Sequence, residues 1–151
     1  MKHKFSFLLA AISILSGCTA GGHLYPIRGP LSAQTPTPIY NLRMTDGLKS
    51  GALSVAMDND ETGKNRWQLV PQDKSHVAAM PEVWDTIYGS GFYVANVLGN
   101  RLYGQSTVTT NRGTILNIEF YKPDAHAQNP EVGSIKGVAK DNHDNIYKLT
   151  F

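Results

Sequence analysis

The chain has 151 residues, 41% of them apolar and 17% charged, with a mean hydropathy of -0.26. That composition excludes collagen-like, coiled-coil and wholly disordered chains and predicts a single domain. The formal net charge of +2 and the pI of about 8.7 come entirely from Lys2 and Lys4: without residues 1–17, 12 Lys and Arg face 12 Asp and Glu. The cations that remain are scattered singly, which excludes nucleic acid as a partner, because phosphate binding needs a clustered basic surface and the counterions it releases.

The chain opens on Met1-Lys2-His3-Lys4, a short positive start, followed by an apolar run over residues 5–15. The run has the length of a signal-peptide core and falls short of the roughly 20 apolar residues of a membrane-spanning helix. It ends in Leu15-Ser16-Gly17-Cys18. Basic start, apolar core, small residues and a boundary cysteine together resemble the lipobox signal of bacterial lipoproteins. The resemblance implies removal of residues 1–17 and modification of Cys18 by a diacylglycerol thioether and an N-acyl chain such as palmitate. Several acyl chains hold a protein where one binds only marginally. The second mature residue is Thr19 rather than aspartate, which in that family implies an anchor in the outer membrane of a Gram-negative envelope, with the folded part facing the periplasm. Cys18 is the single cysteine, so an intramolecular disulfide and a multi-cysteine metal site are both excluded.

Residues 18–38 are expected to be the lipidated cysteine and a flexible tether. Gly21-Gly22, Gly29-Pro30 and Thr35-Pro36-Thr37-Pro38 oppose regular structure. Within this stretch His23-Leu24-Tyr25-Pro26-Ile27 is more apolar than a spacer needs, and the reading favours its packing against its own domain. The globular domain is expected over 39–151. Once residues 1–17 are taken from the 151, 134 remain, enough to bury roughly two-thirds of the unfolded surface and to fold without disulfides or a cofactor.

From Ile39 onward apolar and polar residues alternate, the pattern of half-buried strands. Tyr40, Leu42 and Met44 share one face. Leu53, Val55 and Met57 follow, then Trp67 and Leu69; later Leu102, Gly104, Ser106 and Val108 are set against Arg101, Gln105, Thr107 and Thr109. Leu116, Ile118 and Phe120 oppose Asn117, Glu119 and Tyr121; Ile135, Gly137 and Ala139 oppose Ser134, Lys136 and Lys140; Tyr147, Leu149 and Phe151 end the chain. About seven strands are predicted, in a mainly β fold bordering on α+β: an antiparallel meander, a curled sheet or a sandwich. Pro81-Glu82 at the start and Gly89-Ser90-Gly91 at the end frame one short helix over 82–88, expected to lie over one end or face of the sheet and to bury Trp84 and much of the sheet's apolar side. Residues 92–98 are apolar on both faces and read as a buried strand or a second helix.

Asp58-Asn59-Asp60-Glu61-Thr62-Gly63 resembles the first half of a calcium loop, which makes Asp58 and Asp60 weak metal candidates. The twelfth position is Leu69 instead of a bidentate glutamate, so a turn explains the cluster better. His23, His76, His126 and His143 lack metal-ligand spacing. Gly89-Ser90-Gly91 lacks the flanks of a nucleophile elbow and reads as a helix stop. Asp85, Glu119 and Glu131, with His76 and His126, are the residues an envelope hydrolase would have to assemble from distant segments. Tyr88, Phe92 and Tyr93 beside permissive glycines form a candidate ligand or partner surface, although completing the core is the favoured reading.

The globular part resembles small uncharacterised bacterial lipoproteins, a likeness that brings no activity with it. The sequence is therefore read as a membrane-anchored, non-catalytic envelope module that needs no cofactor, its partner an envelope protein or cell-wall component. The alternatives are the dispersed-site hydrolase and a carrier of a small apolar ligand inside a curled sheet.

Overall fold

The structure is a computed structural model and describes residues 19–45, 49–71, 79–123 and 135–151. Among these residues eight strands form: β1 (Thr19–Arg28), β2 (Tyr40–Thr45), β3 (Ser50–Ala56), β4 (Thr62–Leu69), β5 (Tyr103–Thr109), β6 (Ile115–Tyr121), β7 (Lys136–Asp141) and β8 (Ile146–Thr150). Each pairs antiparallel with the next, and β1 pairs with β8, so the meander closes into a barrel. The expected open sheet or sandwich of about seven strands is corrected in this respect. Closure removes the two free edges that an open meander would leave unpaired.

The added strand comes from the segment expected to be a tether. Gly21, Gly22 and Pro26 are poor strand formers; Gly21 is exposed with open space around it, and the other two are accommodated by their place. Gly22 is buried where a Cβ would come within 2.6 Å of the Thr150 carbonyl and 2.9 Å of the Phe151 ring. Pro26 pairs with Tyr147 next to a register shift between Pro26 and Arg28, a break in the ladder that tolerates a missing N–H. Leu24 is fully buried opposite Leu149, so the expectation that His23–Ile27 packs on its own domain takes the form of a core strand.

The inward faces of the strands fill the barrel. Leu24, Tyr40, Leu42, Leu53, Val55, Trp67, Leu116, Ile118, Phe120, Tyr147 and Leu149 belong to one cluster of buried side chains. Large rings fit because they lie against glycines: a Cβ on Gly104 would stand 2.6 Å from the Phe120 ring, and one on Gly51 would stand 2.5 Å from Trp67 Nε1. The Trp67 and Phe120 rings meet edge to face at 5.5 Å, and Trp67 Nε1 donates to the Thr45 carbonyl at 3.0 Å. A small barrel packed in this large-against-small way is a core and not a lumen.

One seam is thin. β4 and β5 pair directly only through Gln68↔Gln105 and Leu69↔Gly104, with an isolated bridge at Gly63↔Thr110. Side chains span the gap: Asn65 Nδ2 donates to the Thr107 carbonyl at 2.6 Å, and Ser106 Oγ donates to the Arg66 carbonyl at 3.0 Å.

Helix α1 (Pro81–Tyr88) begins with proline in its first turn and stops at Gly89, whose φ of 108° is one that glycine adopts without strain. It packs against the outer face of the barrel, where Tyr103, Tyr121, Val138 and Ile146 form a second buried cluster with Met80, Val83, Trp84, Tyr93 and Val97. The helix lies over a face of the sheet and buries Trp84 as expected, but that face is the outer one: the apolar side it was expected to cover is consumed by barrel closure. Residues 92–98 form neither a strand nor an ordinary helix; a π-helical turn spans Tyr93–Val97.

Replacing the fully buried Leu116 by alanine is expected to cost about 2–5 kcal/mol. The same truncation at Val94, which is 67% exposed, should stay within about 0.5 kcal/mol. Urea unfolding of the two variants checks the contrast.

Candidate functional site

Two places gather polar chemistry: the contact beneath α1, and the end of the barrel where β1 meets β2, β3 meets β4, β5 meets β6 and β7 meets β8. The first holds most of the residues singled out from sequence. Glu119 points outward from β6 and is 1% exposed. Its Oε1 accepts the Met80 N–H at 2.7 Å and its Oε2 accepts Trp84 Nε1–H at 2.6 Å, while Gln105 Nε2 stands 3.4 Å from Oε1. The carboxylate thus ties α1 to the barrel wall. Asp85 is engaged elsewhere: its Oδ2 accepts the Gly91 N–H and its Oδ1 the Tyr93 N–H, both at 3.0 Å. These donors, Tyr93 first, hold the Asp85 carboxyl below its ordinary range. Asp85 and Glu119, the two carboxylates of the hydrolase reading among the described residues, therefore serve different structural contacts. Its other members, His76, His126 and Glu131, lie outside the described residues.

The aromatic group is built into the same contact. Tyr93 is buried. Tyr88 and Phe92 stack at 4.7 Å, and Trp84 lies 5.6 Å from Tyr88 and 6.1 Å from Phe92. Tyr88 donates its hydroxyl to the Gly137 carbonyl at 3.2 Å, and the ammonium groups of Lys148 and Lys136 stand 5.5 and 6.0 Å from its ring centre. Burial pushes the Tyr88 phenol up to about 12. These rings complete a small outer core, as aromatic residues most often do.

Burial raises the Glu119 carboxyl above its ordinary range, against the opposing pull of donors from Trp84, Tyr103, Met80 and Gln105. A carboxyl raised in this way keeps its proton longer in the folded state. Its stabilising contribution is complete below the unfolded value of about 4.3 and declines as pH climbs through the folded value. Glu119→Gln is expected to flatten that decline in unfolding free energies measured from pH 4 to 8, and an unchanged profile would contradict the assignment. Glu119→Ala should cost about 2–4 kcal/mol, because it strands the Trp84 and Met80 donors.

The second place escaped the sequence reading. At the far end of the barrel a mouth of about 270 Å³ is lined by Pro30, Leu31, Tyr40, Met57, Glu61, Thr114, Asp141, His143 and Asn145. Behind the lining residue Tyr40 stands the buried Tyr147, their ring centres 6.3 Å apart. The rim of the mouth consists of turns locked to one another. Asp58–Glu61 is a two-residue hairpin turn with φ of 56° at Asn59 and 58° at Asp60 and a Glu61 N–H to Asp58 carbonyl bond of 3.2 Å. Asp58 and Asp60 therefore sit where the turn reading put them. Among the described residues no group of three or more His, Cys, Asp or Glu is arranged to hold a metal. Arg112 Nη2 donates to the Asn59 carbonyl at 2.6 Å, Asn111 Oδ1 accepts the Thr62 N–H at 3.0 Å, and Thr110 donates to Glu61 Oε1 at 2.5 Å. On the other side, Asn142 Oδ1 accepts the Ile115 N–H at 2.9 Å, and its Nδ2 donates to the Gly113 carbonyl at 3.2 Å.

Asp141 organises this end of the barrel. Its Oδ2 accepts the Tyr147 hydroxyl at 2.7 Å and Asn145 Nδ2 at 2.9 Å, and its Oδ1 accepts the N–H groups of His143 at 2.8 Å and Asn145 at 2.9 Å. Asn145 Oδ1 in turn accepts the Leu31 N–H at 2.9 Å, which pins the short 3-10 turn Pro30–Ala33 over the opening. Tyr40 differs from Tyr147: it is 5% exposed overall, its hydroxyl makes no hydrogen bond among the described residues, and because every buried side-chain N or O there has a partner, that hydroxyl opens to solvent at the mouth it lines. Burial raises its pKa, and the charges of Asp58, Glu61 and Asp141 raise it further.

Tyr147→Phe removes one hydrogen bond to a charged acceptor and is expected to lower unfolding stability by about 1.5–3 kcal/mol. It should also accelerate hydrogen exchange of the His143 and Asn145 amides that share Asp141.

Comparison with known proteins finds no matching family model, no matching curated protein and no matching solved structure. The site is therefore interpreted from its own geometry.

Proposed function

We propose that this chain is a bacterial envelope lipoprotein: a non-catalytic binding module, anchored in the outer membrane by lipid on Cys18 and facing the periplasm. The observation that carries the reading is the adjacency of the lipobox-like Leu15-Ser16-Gly17-Cys18 to β1, which begins at Thr19. β1 starts at the end of the barrel opposite the mouth, since Thr19 pairs with Thr45 while Arg28 pairs with Ile146. Lipid on Cys18 would then hold the barrel close to the bilayer, with no spacer between, and turn the mouth away from it. A rim of interlocked turns around a preformed cavity is what a binding site requires, because little ordering entropy remains to be lost on binding. The packed barrel interior counts against the apolar-ligand carrier.

Cys18→Ala is expected to abolish incorporation of labelled fatty acid and to shift the protein out of the outer-membrane fraction. Retention of label in that variant, or a wild-type chain recovered with residues 1–17 still attached, would overturn the anchor.

A further inference from the structure

We infer that the barrel mouth is a binding site for a protonated primary amine at the end of a short aliphatic chain. The inference deepens the binding-module reading and rests on it, though not on the lipid anchor. Three features select this chemistry. Tyr40 is 5% exposed as a residue and lines the mouth, and its hydroxyl makes no hydrogen bond among the described residues; since no buried side-chain N or O there lacks a partner, the hydroxyl opens into the mouth and presents both an acceptor and a donor to whatever enters. Glu61 lies on the lining, with one carboxylate oxygen engaged by Thr110. Asp58, Glu61 and Asp141 all bear electrostatically on the Tyr40 phenol, so the mouth has negative potential. Arg112, a cation of the rim, is committed to the Asn59 carbonyl at 2.6 Å.

Asp141 itself is spent, because both of its oxygens are saturated by four donors. Asp141 still contributes charge, but the carboxylate oxygen open to accept a hydrogen bond from a ligand is that of Glu61, whose Oε1 alone is engaged by Thr110. An ammonium carries three donors and no acceptor, which suits a phenol oxygen beside a carboxylate; an anion would meet repulsion there. Pro30, Leu31 and Met57 supply an apolar ledge for the methylenes that lead to the amine. At about 270 Å³ the mouth falls below the roughly 300–1,000 Å³ of sites that enclose a drug-sized ligand. It fits one lysine side chain or a small alkylamine.

The test uses the full chain in detergent, titrated with Nα-acetyl-lysine amide, 1,5-diaminopentane and the neutral Nα-acetyl-norleucine amide, with binding followed by two-dimensional NMR. The expected result is saturable shifts centred on Tyr40, Thr114 and His143 for a charged probe, with a Kd of about 1 mM, and none for norleucine amide. Preference for the lysine amide assigns the site to a side chain of a partner protein; preference for the diamine assigns it to a free amine. Glu61→Gln should weaken binding about tenfold or more, and Tyr40→Phe about three- to tenfold, with unfolding midpoints near wild type for at least one of these nearly isosteric changes. Equal binding of the neutral probe, shifts centred elsewhere, or no shift at 50-fold over the expected Kd would overturn the inference. Loss of amine binding with fatty-acid label intact sinks this inference alone. Loss of label with amine binding intact sinks the anchor alone.

Discussion

The pairing of β1 with β8 is the constraint on which the rest of the structure depends. Seven antiparallel strands in meander order would form an open sheet with two unpaired edges, each a row of exposed backbone donors and acceptors. β1 occupies both edges at once, pairing with β2 from Thr19 to Leu24 and with β8 from His23 to Arg28. It also contributes Leu24 to the centre of the core. The inner faces of all the strands then turn toward one another, and the apolar set becomes self-sufficient. That frees the outer surface of β5, β6 and β7 for a second layer, where α1 is held by the Glu119 carboxylate.

Closure also sorts the chemistry by chain direction. In an up-and-down barrel every second connection lies at the same end, so the β1–β2, β3–β4, β5–β6 and β7–β8 turns converge although they are far apart in sequence. Asn111, Asn142 and Asn145 spend their side-chain amides joining neighbouring backbones. This is the usual talent of asparagine for imitating a backbone turn. The result is a rigid rim whose one unspent polar group among the buried tyrosines of the mouth is the Tyr40 hydroxyl. The proposed anchor stands at the opposite end, so in the proposed arrangement membrane attachment and ligand access do not compete for surface.

Much of the fold was legible in the sequence, and the exceptions have physical reasons. Strands β2 to β8 announced themselves through alternation, because each turns one face into the barrel core; Leu116, Ile118 and Phe120 are the clearest case. β1 did not, since Gly21, Gly22 and Pro26 carry strong local signals against a strand. Those signals are overridden by tertiary contacts with Phe151 and Tyr147 that no local window can see. On β6 the outward residues Glu119 and Tyr121 are buried as well, which a two-sided pattern of wet and dry faces does not anticipate. The candidate site was read in pieces. The clusters at residues 58–63 and 141–145 were recognised as turns, but that they face one another across a cavity follows from strand count and parity, and an eighth strand had first to be found. Tyr40 looked like one more core aromatic, and its unpartnered hydroxyl is a three-dimensional fact.

Native-state hydrogen exchange on the amides of residues 22–25 addresses barrel closure most directly. The closed barrel predicts protection within about tenfold of that seen in β6, lost only with global unfolding. Exchange at the rate of an unstructured peptide in β1, while β2 to β8 remain protected, would contradict it and restore the segment to the role of a tether.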